Sequence, residues 1–219
     1  MDSFEYPPTD MEIMKQETQE LNQYDNVKDV LDNWLKFGTM MAIERVMSYY
    51  LVGIKNATSV FDKSWLLTTV FTLLGFSLYF ILVRHVIPNK FGNVMVRNVL
   101  DDLLLNGTML AASHVMVTYL GGGDSDGLFN KEWIMTTGFI LLGFTVYNAG
   151  TSQILPQDKL NETTKPLVND WAKFATMLTV VRVLRGKSLL NKKWVLGVLF
   201  TLIGFTAYHL ITKKAIKFM

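Results

Sequence analysis

Three stretches of this chain are variants of one another. Phe61 to Tyr79 reads FDKSWLLTTVFTLLGFSLY, Phe129 to Tyr147 reads FNKEWIMTTGFILLGFTVY, and Leu190 to Tyr208 reads LNKKWVLGVLFTLIGFTAY. The likeness starts further upstream, in VKDVLDNWLKFGTMM from Val27, VRNVLDDLLLNGTML from Val96 and TKPLVNDWAKFATML from Thr164. Self-similarity of this kind means one supersecondary unit used repeatedly, and it constrains the fold more than any single motif. Each unit reads as an upstream helix A, a short polar loop and a downstream helix B. The units span 26–88, 89–156 and 157–219, the last ending in a basic tail, and an acidic stretch, 1–25, precedes them.

Helix B sets the solvent. No Asp, Glu, Lys or Arg occurs from Trp65 to Val83, from Trp133 to Gln157 or from Trp194 to Thr212. Each run reaches the ~18–20 residues that a hydrocarbon core about 30 Å thick asks of a helix. The whole chain is 50% hydrophobic and 18% charged, below the ~25% charge usual in soluble domains. The expected class is therefore an all-α integral membrane protein. Helix A carries more charge and fits either a span or an amphipathic interfacial helix. If both helices cross, every unit points the same way and equal sequences meet equal surroundings. That favours about six transmembrane helices in three parallel hairpins around a pseudo-threefold axis.

Six spans put both termini on one side. Basic residues weigh toward that side (Lys28, Lys36, Arg84, Lys90, Arg97, Lys159, Lys165, Lys173, Lys213, Lys214, Lys217) over the opposite loops (Lys55, Lys63, Lys131, Arg185, Lys187, Lys192, Lys193), so the termini are predicted cytoplasmic. Residues 1–25 lack a signal peptide's basic start and apolar run and read as a flexible, solvated arm.

Most repeated residues have a local role. Asp62, Asn130 and Asn191 are good N-caps for helix B. Trp65, Trp133 and Trp194 follow at the level of a membrane interface. Tyr79, Tyr147 and Tyr208 come about 21 Å later along the helix, where they read as anchors in the far leaflet. Gly75, Gly143 and Gly204 lie inside helix B, as expected where another helix packs closely. The pairs Asp32/Asn33, Asp101/Asp102 and Asn169/Asp170 read as water-facing residues at the starts of helix A, complementing the helix dipole. Arg45, His114 and Arg182 occupy equivalent positions in helix A. Basic groups within a span are costly, which makes these three the candidate site for an anion or an acidic lipid. Glu44, beside Arg45, is a candidate to neutralise it.

Several chemistries find no support in the residues. With no cysteine there is no disulfide, thiolate nucleophile or Cys-based metal site. No nucleophile–base or metal-ligand signature appears, so neither enzyme, cofactor nor metal is predicted. A net charge of +2 does not favour nucleic acid. GGGDSDG, Gly121 to Gly127, lacks the Lys-Ser/Thr of a P-loop and the closing Glu of an EF-hand, and reads as a hairpin connection. Three two-span units match mitochondrial carriers in number only. The A helices end YYLVGIKN, VTYLGGGD and VRVLRGKS, without the carrier signature P-x-[DE]-x-x-[KR], so that family is not assigned.

Two functions stay open. One is a structural anchor or scaffold whose arm and polar loops dock neighbouring proteins, such as one tying a membrane to a virus capsid. The other is a small transporter or channel for an anionic solute or lipid, using Arg45, His114 and Arg182. The lipid bilayer is a partner in both, and homo- or hetero-oligomers fit both.

Overall fold

Helix B starts where the caps predict. In the computed structural model the Asp62, Asn130 and Asn191 side chains accept the backbone N–H groups of Trp65, Trp133 and Trp194 at 2.9, 2.9 and 3.2 Å. The structure describes residues 10–53, 59–84, 93–121 and 128–216. Every regular element among them is helical: α1 Asp10–Met47, α2 Lys63–Leu78, α3 Val94–Leu120, α4 Lys131–Val146, α5 Ser152–Ile154, α6 Thr164–Leu184, α7 Lys192–Ala207 and α8 Lys213–Ile216. Helix A of the three units corresponds to α1, α3 and α6, and helix B to α2, α4 and α7.

Each B helix widens at its tyrosine into a π-helical turn, Tyr79–Val83, Tyr147–Thr151 and Tyr208–Thr212. The tyrosine N–H is shared between two carbonyls, Gly75 and Phe76 in α2, Gly143 and Phe144 in α4, and Gly204 and Phe205 in α7. Such one-turn bulges re-aim the following side chains.

Residues 10–25, expected as an arm, form the opening turns of α1, and residues 1–9 lie outside the described residues. Strong helix formers (Met, Glu, Gln, Lys, Leu) fill that stretch, which explains its continuity with the apolar part of α1.

Among the described residues three helical stretches are long and apolar enough to cross a membrane: Lys63–Val83, Val94–Leu120 and Lys192–Thr212. They are not the three B helices that the uncharged runs single out. In the second unit α3 qualifies in place of α4, whose apolar run is diluted by Asn148, Gly138 and Gly150. Helix α6, 21 residues and thus about 31 Å long, is a longer helix than its apolar segment alone implies.

Glycine positions the helices. A Cβ at Gly75 would lie 2.8 Å from the Met109 carbonyl oxygen, one at Gly143 would lie 2.7 Å from Met177 Cα, and one at Gly204 would lie 2.7 Å from Met40 Cα. Thus α2 packs on α3, α4 on α6, and α7 on α1. Along the first interface Thr72 meets Ser113, Gly75 meets Met109 and Tyr79 meets Asp101, so the two helices run antiparallel.

Phenylalanines fill the centre. Phe37, Phe76, Phe144, Phe174 and Phe205 are buried together with Met177. Phe37 stacks on Phe76 at 4.4 Å and meets Phe174 and Phe205 edge-on, while Phe174 contacts Phe144 and Phe205. Offset and edge-on contacts are the favourable arrangements for aromatic quadrupoles.

Candidate functional site

The π turns deliver polar side chains into the interior on one side of the phenylalanine cluster. The Tyr79 hydroxyl donates to Asp101 and the Tyr208 hydroxyl to Asp32, while Tyr147 reaches Asn169 at 3.5 Å. The three tyrosines are 1%, 1% and 7% exposed. They are buried between helices, which corrects their reading as lipid-facing anchors. A phenol placed beside a remote carboxylate hydrogen-bonds it instead of straddling an interface.

The residue after each tyrosine, Phe80, Asn148 or His209, is buried as well. Asn148 donates to Asp102 at 2.6 Å, and His209 Nε2 lies 2.7 Å from Asp170. Lys173 of α6 pairs with Asp102 of α3, and Lys36 of α1 pairs with Asp170 of α6 at 2.8 Å. Asp102 and Asp170 are each 8% exposed. Asp102 and Asp170 are therefore not water-facing caps, whereas Asp32 and Asp101 keep an exposed side. Helix α3 begins at Val94, so Asp101 and Asp102 lie about two turns inside it.

The corresponding position in the first unit is Asn33, and its surroundings differ in step. Asn33 donates to Asp29 O of its own helix at 2.8 Å. The counterpart of His209 and Asn148 is Phe80, and the counterpart of Lys36 and Lys173 is Leu105. Where the acid is absent, so are its polar partners. This is what electrostatics requires, since a buried lysine or aspartate left alone is far costlier than an apolar substitute. Threonines follow the same pattern: Thr176 meets Thr151 at 3.1 Å and Thr39 meets Thr212 at 3.3 Å, whereas the counterpart of Thr151 and Thr212 in the first unit is Val83.

Across the phenylalanines lie the basic residues singled out in the sequence. Each engages the loop of its own hairpin. Arg45 donates to Val60 O at 2.7 Å and pairs with Asp62; His114 bonds Leu128 O and stacks on Trp133 with ring centroids 4.9 Å apart; Arg182 donates to Ser188 O at 3.0 Å and lies over the Trp194 ring. Arg45 takes Asp62 rather than Glu44, whose carboxylate accepts from Ser48. The common geometry is a basic group tying the end of helix A to the carbonyl just before helix B, and each of the three is occupied there. Trp65, Trp133 and Trp194 thus sit beside these ties, at the hairpin end of helix B.

Chemically, the buried Asp102, Asn148, Asp170 and His209 are hydrogen-bonded or ion-paired to one another and to the two lysines. His209 also borders a cavity of about 310 Å³ with Glu162, Thr163, Pro166, Lys213 and Lys214. Among the described residues no group of three His, Cys, Asp or Glu side chains is placed to hold a metal. Residues 122–127 of the glycine-rich loop lie outside the described residues. Comparison with protein-family models, with curated proteins and with solved structures finds no match.

Proposed function

We propose that this chain is a non-enzymatic, multispanning membrane protein in which three tandem hairpins close into a pseudo-threefold ring that anchors neighbouring proteins to a bilayer. The observation that carries the reading is the junction between the two ends of the chain. Gly204 of α7 rests on Met40 of α1, and Tyr208 bonds Asp32. The same two relationships link α2 with α3, and α4 with α6, so each B helix is paired with the A helix of the following unit.

Lipid supplies what the fold leaves uncovered. Within the most apolar windows of α2, α3 and α7 only 28%, 11% and 28% of residues are buried. Leu66, Val70, Ile81 and Leu82, then Ile134 and Leu142, then Val195, Leu199, Ile203 and Ile211 face outward. An apolar belt of that extent in water would drive association. We read α1, α4 and α6 as the remaining spans. The internal charges of α1 and α6 support this, because Lys36 pairs with Asp170 and Lys173 with Asp102 of α3 instead of facing hydrocarbon. The orientation then rests on the other basic residues of the terminal side, such as Arg84, Lys159 and Lys213, which favour cytoplasmic termini.

An anchor is favoured over a conduit because five phenylalanines occupy the centre where a pathway would run. Acid–base catalysis gains nothing from groups that are already paired and buried. Docking is assigned to the acidic N-terminal segment and the polar loops.

Two measurements test this. Proteoliposomes holding the full chain should show no flux of chloride or phosphate above empty liposomes, and saturable flux would replace the anchor by the conduit. Deletion of residues 1–25 should release co-purifying proteins in detergent, and retention of all of them would remove that segment from the docking role.

A further inference from the structure

Above the close approach of Gly143 to Met177, α4 and α6 diverge toward the hairpin loops and leave a cleft of about 620 Å³. Its walls are Met135, Phe139 and Leu184, and its rim carries Lys131, Arg185 and Lys187 against a single acid, Glu132. We infer that this cleft is a headgroup site for an anionic phospholipid, with the phosphate on the three cations and an acyl chain along Met135, Phe139 and Leu184. The inference rests on the membrane reading given above.

Three observations select this occupant. The first is level. Lys131 is the first residue of α4, directly after its cap Asn130, and Arg185 is the C-cap of α6. The cations therefore stand at the ends of two helices, where headgroup phosphates lie if those helices span.

The second is continuity. Met135 is half-exposed and adjoins Ile134 and Leu142 on the outward face of α4, so the cleft opens into the apolar belt. A soluble anion would use the rim and leave that floor bare, whereas a phospholipid covers both.

The third is charge. Among the described residues no carboxylate pairs with Lys131, Arg185 or Lys187, although most cations of the bundle interior have one. Arg185 is held in place by donating to the Thr136 hydroxyl at 2.5 Å, which fixes its guanidinium beside the cleft before a ligand arrives. The cationic rim is particular to this junction. The counterparts of Arg185 and Lys187 are Val117 and Tyr119 next to α2, and Ser48 and Tyr50 next to α7. Repetition of the fold thus does not account for it.

The test is lipid retention. The full chain is reconstituted in nanodiscs of equal parts phosphatidylglycerol and phosphatidylcholine, extracted in mild detergent, and its co-purifying lipid is quantified. Phosphatidylglycerol should be enriched, and each cation removed should lower the enrichment about fivefold. Arg185→Ala with Lys187→Ala should bring it near parity, Arg185→Lys with Lys187→Arg should preserve it, and Lys63→Ala with Lys192→Ala, at the counterparts of Lys131, should leave it unchanged. Lys187→Glu, at an exposed position, gives the same answer should the double variant lose helicity. Equal retention of both lipids by the wild type, enrichment indifferent to these changes, or displacement of the lipid by inorganic phosphate would overturn the site. A chain that incorporates into nanodiscs without preference sinks this inference alone; one that stays out of them overturns the membrane reading with it.

Discussion

Gly204 of α7 lies so close to α1 that a Cβ on it would stand 2.7 Å from Met40 Cα and 2.9 Å from the Met40 carbonyl oxygen. These are backbone atoms near opposite ends of the chain, and they move only if a helix moves. Gly75 and Gly143 meet Met109 and Met177 in the same way, while Gly197 and Gly138 have open space around them.

Gly204→Ala, Gly75→Ala and Gly143→Ala should each destabilise the folded bundle by about 1–3 kcal/mol through overpacking. Gly197→Ala should change stability by less than about 1 kcal/mol, in the direction of helix propensity. Thermal unfolding in a mild detergent separates the two classes. Equal behaviour of Gly204→Ala and Gly197→Ala would contradict the packing.

Asp170 is bonded by Lys36 and His209, and removing one partner strands the others. Lys36→Met should cost roughly 3 kcal/mol, as for other broken interior pairs. The triple change Lys36→Leu, Asp170→Asn, His209→Phe copies the set Leu105, Asn33 and Phe80 at the junction of the first and second units and should recover most of that loss. Chemical unfolding of both variants checks this. A triple variant less stable than Lys36→Met would show that the sets are not interchangeable.

Tyrosine hydroxyls differ in what they leave behind. Tyr79→Phe and Tyr208→Phe deprive Asp101 and Asp32 of a donor and should cost about 1–3 kcal/mol each. Tyr147→Phe removes only a 3.5 Å contact to the neutral Asn169 and should cost less. The rank order, Tyr147→Phe mildest, is the readout in the same unfolding assay.

Arg45 and Arg182 serve their own hairpin loops in this account. Arg45→Ala should lower stability by about 3 kcal/mol, because Asp62 loses its cation and Val60 O its donor. Arg182→Ala should cost less, since its site at the Ser188 carbonyl is exposed. Neither should alter anion permeability of proteoliposomes. A selective change in permeability with stability intact would return these residues to a transport role.

The helical hairpins and the B-helix caps could be read from the chain because their causes are local. Asp62, Asn130 and Asn191 each act within three residues of themselves. The interior polar layer was not legible in the same way. Whether Tyr208 faces lipid or Asp32 depends on a helix 176 residues away, and no periodicity within α7 carries that information. A signal did exist in comparing the units with one another. Asn33, Phe80 and Leu105 depart together from Asp170, His209 and Lys36, which marks them as neighbours. The length of α1 is hidden for a different reason: its first turns are polar, and polarity suggests a solvated arm although the residues are good helix formers.

Closure of the ring is tested most directly by joining its ends. Thr39 and Thr212 are 173 positions apart and their hydroxyl oxygens are 3.3 Å apart, and the chain has no cysteine of its own. The double variant Thr39→Cys, Thr212→Cys should form an intramolecular disulfide on mild oxidation in membranes. On a non-reducing gel the account predicts a monomer of altered mobility that reverts with reductant. A chain that stays reduced, or that yields only cross-linked dimers, would contradict a third hairpin docked on the first.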